Sequence, residues 1–469
     1  MRKVLFMIVF LSLLSILSLG SDVNFIINPY PPFTYLENGE KTGFSMDVLN
    51  AITNEIGVDV SVNFMEWTDA FSKLKNDANT AMPSILMNKE RKDMFKWVGP
   101  ISIVKTSFYS KKESGITISN LEDAREVSQI CVVKDFYSEQ LLSENNFDNL
   151  LVFESQVDAF SAFINNDDYV LPANNFSFAY LLKENSLSIS NFEELFNFSM
   201  DFMYIAFSKG TSDEKVNEWQ IVLDKIKSNG KLQEIYEKWL PWESAPGKYV
   251  YLSEEYPPLT YSDKNGNPSG FVTDIVKEIN RRIKNEEKII ITNWDLAYNA
   301  ALINPNVVLF SMAKTEERKD KFNWIGPVIK NNAYFYKNSA SNLALPSIDY
   351  AKKLIKIATT SGWWTEQRLK EIGFDNLISY QTPEECVNQL IDRNVDLSIF
   401  TDLTVEDIVK KSGHEMREIE EILLFDSVDV FIGISNGTSK KFIDKFIASY
   451  DSMVMDGTYS ETHLKYFSD

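Results

Sequence analysis

Two arginines stand in matched surroundings. Arg91 lies in Glu90-Arg91-Lys92-Asp93-Met94-Phe95-Lys96-Trp97-Val98-Gly99-Pro100, and Arg318 in Glu317-Arg318-Lys319-Asp320-Lys321-Phe322-Asn323-Trp324-Ile325-Gly326-Pro327. A guanidinium presents a planar fork of donors that meets both oxygens of a carboxylate, so either residue suits an acidic solute. A charged Glu-Arg-Lys run is also what a solvated helix start looks like, and one occurrence alone would not separate the two. Other chemistry has little to work with. His414 and His463 are isolated, and no paired-histidine helix motif, Cys-x-x-Cys, phosphate-cradling glycine loop or nucleophile elbow occurs. No metal and no cofactor is expected. Cys131 and Cys386 are too few for a disulfide framework, and buried, unpaired thiols are expected.

The elements around these arginines repeat. Tyr30-Pro31-Pro32-Phe33-Thr34-Tyr35 recurs as Tyr256-Pro257-Pro258-Leu259-Thr260-Tyr261, an offset of 256 − 30 = 226. Gly43-Phe44 followed by Asp47 recurs as Gly270-Phe271 followed by Asp274, and Trp67 as Trp294, at 294 − 67 = 227. The arginine segments keep 318 − 91 = 227, and Phe147-Asp148-Asn149-Leu150 returns intact as Phe374-Asp375-Asn376-Leu377. Gly210-Thr211-Ser212 returns as Gly437-Thr438-Ser439. A unit this long is a whole domain rather than a solenoid repeat. The reading is a leader over 1–20, one module over 22–241, a linker over 242–247 at Trp242 to Gly247, and a second module over 248–469.

Within each module the pattern alternates strand and helix. Val48, Leu49, Ile52 and Ile56 share one helix face that Gly57 stops, and Val60, Val62 and Phe64 alternate as a strand. Ile275, Val276, Ile279 and Ile283 mark the same helix in the second copy, followed by Ile289-Ile290-Ile291. Thr211-Ser212-Asp213-Glu214 reads as a capping box. Asp47 and Asp274 open helices, where capping explains an aspartate. Alternating strands and helices imply a mostly parallel sheet covered on both faces, so the fold class is α/β.

In order, twice and at fixed spacing, these segments resemble the solute-binding proteins of bacterial polar amino acid importers, the family 3 extracellular solute-binding proteins with the type II periplasmic binding fold. The resemblance covers both copies almost end to end. It implies two α/β lobes per copy, joined by two crossover strands and closing on solute by hinge motion. The crossovers of copy two are expected near 335 and 428, and the discontinuous lobe of copy one over about 22–107 with 200–241. It further implies Arg91 and Arg318 as carboxylate ligands, Ser84 and Ser311 as hydroxyl donors, Thr315 beside Arg318, and Tyr30, Trp67, Tyr256 and Trp294 as stacking surfaces. For the ammonium it points to Asp402, after the strand Val395 to Thr401; 402 − 227 = 175 places Asn175 in copy one, where a neutral amide cannot neutralise an ammonium. Copy one also has Asn88 where copy two has Thr315, so copy two is the better amino acid site. The chain departs from the family's Gly-Thr pair with Asp135-Phe136 and Gly362-Trp363. Trp363 then narrows the cleft or stacks on a ring, unless it and Trp364 serve packing.

The bulk properties agree. Arg2 and Lys3 precede an apolar run from Val4 to Leu17, a secretory layout, with cleavage expected after Gly20 and no lipid anchor because Ser21 is not cysteine. A periplasmic or otherwise extracytoplasmic protein is expected. The net charge of −20 argues against nucleic acid and anionic membrane partners. The expected function is capture of a small polar solute for an ABC importer permease, by a monomer without catalysis. Two alternatives share the fold: a sensor that presents solute to a separate receptor, and a dehydratase-like enzyme that would use Glu66 or Glu366.

Overall fold

The structure is a computed structural model, described over residues 23–285, 287–353 and 356–467. The leader and its cleavage site lie outside the described residues. No helix among them is long and apolar enough to cross a membrane.

The second copy is built on one eight-stranded sheet, in the order Ile289–Ile291, Val250–Ser253, Val307–Ala313, Ile419–Ser435, Phe322–Asn338, Leu397–Thr401, Ile357–Thr360, Leu377–Tyr380. The three strands at each end pair in parallel. Between them the long strands Phe322–Asn338 and Ile419–Ser435 run antiparallel to each other over nearly their whole length. They pass through both lobes, where the crossovers near 335 and 428 are expected. Their register shifts between Ile325 and Ile329, where Gly326 has φ 125°, a kink that only glycine tolerates without strain.

Helices cover the sheet because their apolar residues recur at helical spacing. In Phe271–Ile283 the buried Phe271, Ile275, Val276 and Ile279 join a core with Phe442, Phe446 and Met453 from Lys440–Met455. Gly270 starts the first of these at φ 117°, and a Cβ there would meet Leu259 O at 2.5 Å. Gly43 stands at φ 126° in the same place in copy one. The Gly-Phe repeat thus records a turn pressed against the Tyr-Pro-Pro segment. Asp274 does not cap this helix: its Oδ2 accepts from Lys465 Nζ at 2.6 Å and Tyr466 OH at 2.7 Å. At the expected capping box, Ser212 rather than Thr211 accepts, from Lys215 N–H at 3.2 Å.

The first copy has the same strand order, yet its residues fall into two compact units. One comprises residues up to Ile85, with 94–98 and 205–226. There Asn24–Ile27 pairs in parallel with Ser61–Phe64 and Thr80–Met87, and Trp219 packs on Phe25 and Phe207. The other takes 86–93, 99–204 and everything from Lys227, the whole second copy included. The helix Lys231–Trp239, expected in the discontinuous lobe of copy one, belongs to this second unit. Its buried Tyr236 lies edge-on to Phe176 at 5.6 Å and accepts from Ile103 N–H at 3.4 Å. Cys131 and Cys386 are buried free thiols, and burial pushes both up to about 12.

Candidate ligand cleft

Arg318 follows a turn in which Thr315 O accepts from the N–H groups of Arg318 and Lys319 at 3.0 and 2.9 Å. Its side chain is 2% exposed. The guanidinium carbon lies 4.6 Å from the Trp294 ring and 5.2 Å from Tyr298, two aromatics stacked one turn apart on the helix Trp294–Ile303. This holds the fork by its faces and leaves its edge for hydrogen bonds. Nη2 donates to Gly362 O at 2.8 Å, while Nε has no partner among the described residues. Burial lowers the Arg318 pKa, against the pull of Tyr298, Glu254 and Glu317; an arginine so placed stays cationic.

The carboxyl near it is that of Glu254, just beyond the strand Val250–Ser253. Its Oε2 accepts from Trp363 Nε1 at 3.2 Å. Enclosure by protein atoms raises its pKa to about 8, against the Trp363 hydrogen bond and the Arg318 charge, with Asp295 adding to the rise. Part of the side chain faces the cavity.

Tyr256 is buried; its OH accepts from Asn331 Nδ2 at 2.8 Å and contacts Thr401 Oγ1 at 3.3 Å, and its ring meets Trp363 edge-on at 5.1 Å. Ser311 lies 2.5 Å from Thr260 Oγ1 and adopts φ 63°. That left-handed conformation is costly for serine and occurs at a register break in the strand Val307–Ala313, which turns the residue into the cleft.

The opposite wall comes from the inserted lobe. Gly362 stands at φ 71°, where a side chain is strained, and a Cβ there would lie 2.9 Å from Asp295 Oδ1 and 3.2 Å from Trp294 Cδ1, so both side chains would have to shift. Its N–H donates to Glu366 Oε2 at 3.0 Å. Glu366 also accepts from Lys370 Nζ at 2.9 Å and from the Ser379 hydroxyl. Burial works to raise its pKa, but hydrogen bonds from Ser379, Lys370 and Gly362 hold it below the ordinary value. Glu366 therefore anchors the turn at Gly362. Trp363 is the N-cap residue of the helix Trp364–Glu371.

These groups bound a cavity of about 20 Å³, room for little more than one water molecule, with Glu254, Tyr256, Trp294, Ser311, Arg318, Asn331, Trp363 and Trp364 in its wall. Asn331 Oδ1 and Trp364 Nε1 there are buried without hydrogen-bond partners among the described residues. Buried polar atoms are ordinarily paired with protein or ordered water, so these two and Arg318 Nε offer hydrogen-bonding positions to a polar group in the cavity. The cavity can bind a carboxylate at Arg318 and a donor at Glu254.

The structure departs from the expected residues at several points. Asp402 is exposed and does not line the cavity; its carboxylate accepts from Asn332 N–H at 3.1 Å and Asn332 Nδ2 at 2.7 Å. Thr401 meets Tyr256, and because successive side chains on a strand alternate, the next residue faces away. Thr315 is half-buried outside the cavity wall, with Oγ1 unpartnered. Asn175 is fully buried away from solvent, donating to Ile103 O at 3.3 Å and Glu243 Oε1 at 3.2 Å and accepting from Lys105 N–H at 3.2 Å. It is a structural tie to the segment between the copies. Arg91, in the same unit, donates to Leu86 O at 3.4 Å, its N–H bonds Asn88 Oδ1 at 2.9 Å, and its charge acts on Asp201. In the first unit, Tyr30 packs on Phe33, Trp67 is 39% exposed against Phe71, and Ser84 Oγ is buried without a partner.

Glu254, Tyr298 and Asn331 were not anticipated. One signal pointed to Glu254: at the Tyr-Pro-Pro offset, 254 − 226 = 28 falls on Asn28, so copy one lacks the charge here as well.

Among curated proteins, the chain is 23% identical over 227 residues to a probable histidine-binding protein of Neisseria gonorrhoeae, covering 46% of this chain and 81% of that one. It is 28% identical over 214 residues to the ABC transporter glutamine-binding protein GlnH of Bacillus subtilis (strain 168), covering 44% and 76%. Among solved structures, an ancestral arginine-binding protein bound to arginine aligns with a TM-score of 0.41 and 21% identity, over 47% of this chain and 98% of that one. The profile of the bacterial extracellular solute-binding proteins, family 3, matches residues 23–241 and again 249–469, and the chain belongs to that family.

Proposed function

We propose that this protein is an extracytoplasmic solute-binding protein that captures a small amino acid-like solute in the cleft of its second copy and delivers it to an ABC importer in the membrane. The observation behind this is the pairing, in one cavity, of an enclosed guanidinium with an enclosed carboxylate between aromatic walls. Such a pair is costly to bury and suits a guest with complementary charges. Arg318 takes the carboxylate, Glu254 the ammonium, and Tyr256, Trp294 and Trp363 the remainder. Curated relatives named for binding histidine and glutamine support the solute class, and the name of one includes an ABC transporter. Export rests on the Arg2-Lys3 leader.

The test is a thermal-shift screen of the whole chain against amino acids. A ligand at 100 times its Kd adds about 2.7 kcal/mol to stability. Arg318→Ala is expected to remove the shift, while circular dichroism remains that of the parent. An unchanged shift refutes the role of Arg318. Conversion of an added solute, followed by mass spectrometry, would move the reading to an enzyme, because an enclosed carboxyl of raised pKa also suits proton transfer.

A further inference from the structure

The two charged groups of the cleft are each engaged by one dipeptide of the opposite lobe. Gly362 O lies 2.8 Å from Arg318 Nη2, where the carboxylate of a solute would sit, and Trp363 Nε1–H lies 3.2 Å from Glu254 Oε2, where an ammonium would sit. A carbonyl dipole and an indole N–H thus stand in for the two ends of an amino acid. The backbone of this dipeptide is fixed. Gly362 N–H is held by Glu366, Trp363 N–H bonds Thr360 O at 3.2 Å, and any side chain at 362 would strike Asp295 or Trp294.

The Trp363 indole is held through side-chain contacts, to Glu254 and Tyr256. It is 7% exposed, edge-on to Tyr256, and beside it the cleft has room for little more than a water molecule. In the first copy, 363 − 227 = 136 is a phenylalanine, which has no N–H to offer and is 49% exposed.

We propose that Trp363 is the size gate of this cleft: the Gly362-Trp363 pair occupies the site as an internal substitute for solute, so the site admits only solutes small enough to share it with the indole, of the size of glycine or alanine. The inference rests on the amino acid reading of the same cleft. An amino acid this small sets its carboxylate on Arg318 Nε, which has no partner among the described residues, and its ammonium on Glu254 while the carbonyl and the ring stay; a longer side chain has to evict the ring, losing its contacts with Tyr256 and Glu254.

The experiment measures binding of glycine, L-alanine, L-glutamine and L-arginine to the full chain by calorimetry, for the parent, Trp363→Ala and Trp363→Phe. The parent is expected to bind glycine or L-alanine at least tenfold more tightly than the two longer amino acids. Trp363→Ala is expected to gain at least tenfold for L-glutamine and L-arginine. Trp363→Phe, which keeps a ring but no N–H, should retain the parent's preference for small solutes. Should Trp363→Ala not fold, Trp363→Leu provides the same comparison with an apolar side chain in place. Equal affinity of the parent and the truncated variant for L-glutamine and L-arginine overturns the gate and leaves the amino acid reading standing. Silence of every variant towards all four solutes overturns both.

Discussion

Replacing Glu254 with glutamine keeps the shape of the side chain and an acceptor for the Trp363 N–H, and removes its titration. In the folded chain enclosure raises this carboxyl from 4.5 to about 8. Between those values the folded state holds a proton that the unfolded state has released, so stability falls as pH rises through that window. It is fully present below about 4.5 and lost above about 8. At about 1.4 kcal/mol per pH unit, ionised Glu254 costs the fold on the order of 5 kcal/mol. Glu254→Gln is therefore expected to resemble the parent near pH 4.5 and to exceed it by several kcal/mol at pH 9. The comparison uses urea unfolding, followed on the transition that exposes the second copy. A direct reading is available, since the Trp363 indole N–H donates to this carboxylate: tryptophan fluorescence should titrate with a midpoint near 8 in the parent and not in the variant. An ammonium-bearing solute should bind the parent more tightly as pH rises towards 8, releasing a proton. A stability gap that is the same at both pH values, or a fluorescence midpoint below 6, refutes the enclosure of Glu254 and its role as ammonium partner.

Gly362→Ala forces a Cβ into the left-handed turn against Asp295 and Trp294 and should cost about 1–3 kcal/mol in urea unfolding; Asp135→Gly, where an aspartate already holds φ 63°, should change stability by about 1 kcal/mol at most. Asn175→Ala leaves buried partners at Lys105, Ile103 and Glu243 unmet and should cost about 2–3 kcal/mol, with solute affinity by calorimetry unaltered. Asp402→Ala should leave affinity within about twofold, some 0.4 kcal/mol, because its carboxylate bonds Asn332 outside the cavity; a large loss would return Asp402 to the ammonium site.

The tandem architecture was legible because it is written in local geometry that recurs. The Gly-Phe step needs positive φ and an absent Cβ wherever the helix starts against the Tyr-Pro-Pro turn, so both copies keep the same residues at the same offset. Apolar spacing marked the helix Phe271–Ile283 for the same reason: one face must meet the sheet. Arg318 was legible because its segment is continuous, with the turn, the arginine and the following strand fixed by near neighbours in the chain.

The carboxyl enclosed beside it was not. Asp402 and Glu254 both follow a short buried strand, and sequence spacing does not say which carboxylate is enclosed. That is decided where two lobes meet: Trp363, more than 100 residues from Glu254, covers one carboxylate, while the alternation of the strand turns the other to solvent. Glu254 and Glu255 are neighbours, yet one is shut in beside a guanidinium and the other pairs with Lys411 at 3.4 Å on the surface. Asn175 likewise looked like a cleft residue until the segment between the copies was seen to supply Glu243 as its partner. The sequence by itself determined the repeat and the α/β class and singled out the Arg318 segment, because each depends on residues close in the chain. Only the tertiary structure decided which carboxyl is enclosed near Arg318 and what wall faces it, because desolvation depends on what other segments bring to the same few ångströms.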